Sequence, residues 1–261
     1  MATAKPLSRR RFTPLTRALF TTIALLGFAE AMKKAGMFPV FVPAPSQVFK
    51  EIVRSPLLVT GNLAPTAWKA TLGYFIAMSV AVTAGALAIL VREVYGAIYN
   101  FSVILNSIPI IATAPLLALW LGTGPQLQVV VAALACQFPI LVGTVQGLQA
   151  AETAQRELLH VLSASRMQTL RYLLIPSAVP YLFAGFKIGA PSAVLGAITS
   201  EWAGADSGVG AMMLYALFSY DTPKVWLSVL LTCLLAAGGY GIVVLAEKLV
   251  FRVNQEGERV Q

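Results

Sequence analysis

Six apolar blocks alternate with shorter polar segments along this chain. They run over about 15–32, 68–91, 97–121, 127–148, 179–203 and 225–246. A helix of about 20 apolar residues crosses a bilayer core of about 30 Å. Helix is the required form, because a lone strand would leave its backbone groups unpaired in lipid. The pattern predicts an all-α, polytopic membrane protein with about six transmembrane helices. Pro109 and Pro115 fall inside the third block, Pro139 inside the fourth and Pro191 inside the fifth. Bent or broken helices line cavities in transporters, and a plain packing kink is the simpler reading of any one proline. Gly143 with Gly147, and Gly185 with Gly189, have the four-residue spacing that lets helix backbones approach closely.

Composition narrows the class. The 261 residues are 57% hydrophobic and 11% charged, with mean hydropathy +0.76. Soluble domains run about 45–50% apolar and about 25% charged, so an ordinary soluble enzyme is excluded. A disordered chain is excluded for the same reason. Six crossings leave no room for a further soluble domain of typical size. The chain divides into an N-terminal tail over 1–14, one transmembrane domain over 15–251 and a charged tail over 252–261. The net charge of +8 reads as topology rather than nucleic-acid binding, because the basic residues lie between apolar blocks. With both ends in the cytoplasm, twelve Lys and Arg fall on the inner side and six, Lys69 among them, on the outer side. The partner implied is membrane lipid, with no nucleic acid.

Arg9-Arg10-Arg11 ahead of the first block resembles a twin-arginine export signal, with Ala29-Glu30-Ala31 as a cleavage site. The rival reading, an uncleaved first crossing with a basic flank, fits the blocks that follow. Cys136 and Cys233 sit in apolar blocks and make no disulfide framework. With His160 as the single histidine, no His/Cys metal cluster is expected.

The polar segment over about 149–177 is too long for a turn. Ala151, Ala154, Leu158, Val161 and Leu162 recur at helical spacing on one face, and Glu152, Arg156 and His160 on another. Ser163-Ala164 breaks the pattern. Ser165 and Gln168 have the spacing of a capping box, so a second helix starts there. Met167, Leu170 and Leu174 mark its apolar side, and Pro176 is expected to stop it. Periodicity alone fits an amphipathic loop resting on the membrane equally well.

These residues resemble the cytoplasmic motif of permease subunits of bacterial ABC importers: Glu-Ala-Ala, three residues, Gly, nine residues, Ile-x-Leu-Pro. Here the run is Glu157-Leu158-Leu159, three residues, Ser163, nine residues, Leu173-Leu174-Ile175-Pro176. The spacing matches; both alanines are Leu and the glycine is Ser163. Ser163-Ala164-Ser165-Arg166 is similar to the family's Gly-Ala-Ser-Arg run. Val42-Pro43-Ala44-Pro45-Ser46, the Ile108–Pro115 run, Glu201 and Tyr220-Asp221-Thr222-Pro223 resemble the nitrate/sulfonate/taurine-type branch of the binding-protein-dependent transport inner-membrane component family.

The resemblance implies that Glu157, Ser163, Ala164, Ser165, Arg166 and Pro176 belong to a coupling helix that docks on an ATP-binding subunit. Ser is less free than Gly to take φ > 0, so Ser163 is strained if the turn needs it. No G-x-x-x-x-G-K-[ST] run and no Gly-Lys dipeptide occur, so a transport subunit without its own ATPase site is expected. ATP and Mg would be bound by the partner, and this chain would hold no cofactor. The implied assembly is a homodimer in the bacterial inner membrane with two ATPase copies and an external or periplasmic substrate-binding protein. The implied solute is small and polar: nitrate, sulfonate, taurine, a thiamine precursor or riboflavin-like.

Ionisable residues near the membrane have paired readings. Lys187 either reaches back to the interface or lines a pathway. Glu201 either packs a helix or gates, with Pro109 and Pro115 as further pathway positions. Glu30 reads as interfacial, and Asp206 and Asp221 as outer-loop acids. An intramembrane enzyme lacks the residues it needs. A self-sufficient secondary transporter or channel would want mid-membrane ionisable residues, which the blocks hardly contain. A purely structural subunit gives no reason for the motif spacing.

Overall fold

The computed structural model describes residues 14–39 and 41–258, with side chains apart from those at 14–19, 92, 166 and 253–258. The twin-arginine run and most of the N-terminal tail lie outside the described residues. The described chain is helical: α1 (Pro14–Lys34), α2 (Pro45–Arg54), α3 (Pro56–Leu90), α4 (Arg92–Ser107), α5 (Ile110–Leu121), α6 (Pro125–Gln149), α7 (Thr153–Val161), α8 (Arg166–Thr169), a π turn (Leu170–Leu174), α9 (Ile175–Glu201), α10 (Val209–Phe218) and α11 (Thr222–Glu258). Pro45, Pro56 and Pro125 open α2, α3 and α6, where a missing N–H costs nothing.

Among the described residues, α3, α6, the helix running on into α9, and α11 are long and apolar enough to cross a membrane. The third apolar block is not one straight crossing. It breaks at Ile108-Pro109, and α4 and α5 meet at 99°, so the pair counts as a fifth crossing only if taken together. Pro109 removes a backbone donor at the break. The first expected crossing begins outside the residues whose side chains are described. Two boundaries also move. α3 starts at Pro56, so Lys69 lies inside a helix and leaves the outer loops. α11 runs to Glu258, so most of the charged tail is helical.

α6 and α9 form the centre. Gly143 and Gly147 of α6 face Gly185 and Ala178 of α9 at backbone contact. A Cβ built on Gly143 would stand 2.7 Å from the Tyr181 carbonyl oxygen, and one on Gly185 2.7 Å from the Pro139 carbonyl oxygen. The two glycine pairs singled out by spacing thus share one seam. α3 packs across it through Ala77 and Ala81 against Cys136, Ile140 and Leu141. At one end, Val48 of α2, Val59 of α3, Val209 and Met212 of α10 and Leu227 of α11 make a second core. At the other end, Leu148, Ala151, Leu174 and Ala178 make a third. The bundle's outside is apolar: Val80, Ile242 and Leu245 are all exposed. That is the surface lipid requires and water does not tolerate over so wide an area.

At the start of α2, Glu30 of α1 accepts from the Ser46 N–H at 3.1 Å and from Ser46 Oγ at 2.9 Å. It therefore caps a helix rather than simply facing the interface.

The seam yields a test. Gly185→Leu places a side chain where the Pro139 carbonyl stands, and overpacking of this kind costs about 1–3 kcal/mol or more. Gly238 of α11 has open space around it. Thermal unfolding in detergent should show a large loss for Gly185→Leu and none for Gly238→Ala; equal behaviour of the two contradicts the seam.

Candidate functional site

The loop joining α6 to α9 is built as two helices at an angle. α7 follows a short turn after α6, and Arg156 ties it back: Nη2 donates to the Leu148 carbonyl at 2.9 Å. A cation on the last carbonyls of α6 complements the negative end of that helix. Arg156 Nε is buried without a partner among the described residues. α7 ends in a left-handed turn. Ser163 has φ +55°. The Ser163 N–H donates to the His160 carbonyl at 3.0 Å, and the Ala164 N–H to the Leu159 carbonyl at 2.9 Å. This is the paired hydrogen bonding of a helix C-cap that usually takes glycine, so Ser163 holds the strained conformation the turn demands.

The second helix starts as the spacing predicts. The Ser165 N–H donates to Gln168 Oε1 at 2.7 Å, and the Gln168 N–H to Ser165 Oγ at 3.3 Å. Its end is a correction. Pro176 does not stop the helix. The chain widens into the π turn, where the Ile175 N–H reaches the Leu170 carbonyl, and continues into α9. In a regular helix the proline ring would press on the carbonyl four residues back; the wider turn just before it accommodates the ring.

The apolar face of α7 points away from the protein. Leu158, Val161 and Leu162 are 59%, 79% and 65% exposed, and Met167 and Tyr172 beside them are exposed as well. Among the described side chains of the loop, those at its base, Ala151 and Leu174, are the buried ones. Glu157 is exposed and makes no ion pair among the described side chains. The side chain of Arg166 lies outside the described residues.

The ionisable residues inside the bundle form two pairs that the sequence reading missed. Lys69 Nζ lies 3.0 Å from Glu201 Oε1, and the two side chains are 3% and 0% exposed. Glu201 also accepts from Thr66 Oγ1 at 2.8 Å and from the Gly210 N–H at 2.8 Å, while Thr66 Oγ1 accepts from the Val209 N–H. The carboxylate thereby caps α10 and joins α3, α9 and α10. Gly208 has φ +132°, and a Cβ there would collide with the Glu201 carboxylate. Glu201 is thus a packing residue in this arrangement. Lys187 pairs with Glu247 of α11 at 2.9 Å, and both side chains are half-buried. Neither pair is visible as sequence spacing; the signal available was a lysine and a carboxylate within apolar blocks, which in lipid must find partners. Asp221, just ahead of α11, accepts from Lys224 Nζ in the first turn of that helix at 2.6 Å, and Asp206 is exposed. Pro109 sits at the α4–α5 break, and Pro115 lies inside α5, six residues further on.

Fold and site define a multi-pass helical membrane protein with a two-helix loop projecting from one end. Comparison with known proteins gives its family. Residues 73–255 match the model of the binding-protein-dependent transport system inner membrane component, and the chain belongs to that family. It is a transport component, and such systems work with an ATP-binding subunit and a binding protein. It is 28% identical over 93% of its length to the formylaminopyrimidine transport permease protein ThiX of Halalkalibacterium halodurans, covering 97% of that protein. It is 35% identical over 56% of its length to the riboflavin transport system permease protein RibX of Chloroflexus aurantiacus, covering 55% of it. The putative aliphatic sulfonates transport permease protein SsuC of Bacillus subtilis is 26% identical over 80% of this chain and 76% of its own. Among solved structures, a chain of the MetNI methionine ABC transporter superposes with TM-score 0.61 at 20% identity, covering 77% of this chain and 97% of that one, which shows a shared fold.

Two variants test the site. Ser163→Gly removes left-handed strain of about 1–2 kcal/mol and should raise the unfolding temperature; a fall would show that the serine side chain is needed there. Removing one partner of a buried ion pair costs about 3–5 kcal/mol. Lys69→Met and Glu201→Gln should each destabilise strongly, and the double variant by less than their sum. Strict additivity would show that the pair is not coupled.

Proposed function

We propose that the chain is the membrane-spanning half of an ATP-driven importer, present as a homodimer, whose α7–α8 loop docks on a separate ATPase. Each of two ATPase copies grips one loop. ATP and Mg are held by those subunits, and their closure carries the loops and rocks the helices between inward and outward access. Solute arrives from an external binding protein. The loop end then faces the cytoplasm together with both termini, in the bacterial inner membrane. Moving Lys69 from the outer loops into α3 improves the basic bias that supports this orientation.

The observation that carries the reading is the outward-facing apolar rim Leu158, Val161 and Leu162 behind a strained turn. Burying such side chains against a partner stabilises by roughly 1.5–3 kcal/mol each. Among the described residues they join none of the hydrophobic cores. Glu157, Ser163, Ala164, Ser165 and Arg166 border this rim and position it, and Pro176 marks its return to α9. The solute class is small and polar, in line with the pyrimidine, riboflavin and sulfonate systems of the relatives named above.

Leu158→Ser/Val161→Ser/Leu162→Ser tests the proposal, because exposed positions leave folding intact. The triple variant should reach the membrane at normal level, lose co-purification with the ATPase and lose ATP-driven uptake in vesicles. Normal ATPase association and uptake would refute the docking role.

A further inference from the structure

The neighbours of α2 fix its depth in the membrane. Its N-terminus is tied to the end of the first apolar block, where Glu30 accepts from Ser46 and Lys33 and Lys34 follow. Val48, on its inner face, belongs to the core that holds Leu227 and Leu231. Those two leucines lie in the first two turns of the last apolar block, which starts at about 225. Trp202 at the end of α9 and Trp226 at the start of α11 are exposed at the same end of the bundle. Tryptophan and lysine at the ends of apolar helices mark the boundary between acyl chains and headgroups. α2 therefore lies at that boundary, away from the two-helix loop, whose base is the core at the other end.

At about 100° per residue the surface of α2 divides into sectors. Val48 and Ile52 face the bundle. Next round the helix come Phe49 and Val53, which are 51% and 81% exposed, and Leu57, just past the break at Ser55, is 85% exposed. Lys50 and Arg54 follow, both exposed; at four residues apart they are neighbours on the helix surface. Glu51 falls on the far side, within electrostatic reach of Lys224. An exposed apolar stripe with a basic stripe beside it is the arrangement of a helix that lies in a membrane surface.

The cations at this end of the bundle sort by partner. Lys69 meets Glu201, Lys224 meets Asp221 and Lys34 meets Glu30, while Lys33 Nζ donates to the Pro39 carbonyl. Lys50 and Arg54 make no ion pair among the described side chains. The two cations left over are the two that adjoin the exposed apolar stripe.

We propose that α2 is a contact site for anionic phospholipid, in which Phe49, Val53 and Leu57 enter the acyl boundary while Lys50 and Arg54 together hold one headgroup phosphate. The planar fork of arginine fits two phosphate oxygens, and lysine adds a point charge. Lipid is the source of that phosphate because the apolar stripe stands at the level where the lipid-facing surface of the bundle ends. A free phosphate would satisfy the cations and leave Phe49 and Val53 in water, which is unfavourable in proportion to their apolar area. Either orientation of the chain in the membrane keeps this contact, and so does failure of the importer reading.

The test uses the full chain in nanodiscs, as Val53→Cys with Cys233→Ala and the buried Cys136 left in place, labelled with an environment-sensitive fluorophore. Lipid brominated near the headgroup should quench the label more strongly than iodide in water does. Brominated phosphatidylglycerol, as a minor component of phosphatidylcholine, should quench more strongly than brominated phosphatidylcholine at the same level, which reports local enrichment of the anionic lipid. Lys50→Gln should lower that enrichment about fivefold, the scale of one cation at a charged lipid surface. Adding Arg54→Gln should bring it toward one, and Lys50→Arg should retain it. Stronger quenching by iodide overturns the proposal, as does an enrichment that the double variant leaves unchanged. Loss of the enrichment on adding soluble glycerol phosphate would make this a free-phosphate site and overturns it too. So does shielding of the label that requires the external binding protein or a second copy of the chain.

Discussion

Backbone contact between α6 and α9 is the constraint on which the rest of the molecule hangs. Gly143 and Gly185 bring the two helices so close that a single methyl group on either would strike a carbonyl of the other. In lipid no hydrophobic drive holds helices together, so close packing of this kind takes its place. The seam fixes both ends of the two-helix loop, because that loop leaves α6 at Gln149 and re-enters α9 at Ile175. It also fixes one wall of the groove at the α4–α5 break, through Ala135 and Ser192. A movement imposed on the loop is therefore delivered to a rigid pair of helices rather than absorbed by a soft one.

Polar groups inside this apolar chain are handled in two ways. Inside the bundle charge is paired: buried Glu201 meets Lys69, Thr66 and the N-terminus of α10, and half-buried Lys187 meets Glu247. Such pairs contribute little net stability, but breaking one is costly, so they fix which helices meet. Neutral hydroxyls bond the carbonyls of their own helices, as Ser107, Thr113 and Ser192 do. Backbone strain is equally local. Ser163 and Tyr220 are the non-glycine residues with positive φ among those described, and both end a helix that leads into a polar turn.

Much of this was legible in the sequence. Four of the six apolar blocks located helices able to cross a membrane, because a 20-residue stretch with so little charge has few alternatives. The Ser165–Gln168 spacing found a real cap, and the two glycine pairs found the seam, since both signals are local. What could not be read were facts of three dimensions. Lys69 and Glu201 are 132 positions apart, and only the fold makes them neighbours. Pro176 looked like a stop because the π turn that accommodates it leaves no mark in composition. The break after Ser107 was suggested by Pro109, but its angle and the groove it opens depend on where α6 and α9 stand. The exposed face of α7 has the periodicity of a helix packed on its own protein; only burial shows that it is turned outward.

The central claim is that this outward face is gripped by a nucleotide-driven partner on the cytoplasmic side. The most direct measurement is a single cysteine at position 161, with Cys136→Ala and Cys233→Ala, treated with a short bifunctional thiol reagent in membranes that contain the assembled transporter. The account predicts a cross-link to the ATP-binding subunit whose yield changes when ATP binds. Reaction of that cysteine with an impermeant reagent from outside intact cells would contradict it, as would an active transporter in which no cross-link to the ATPase forms.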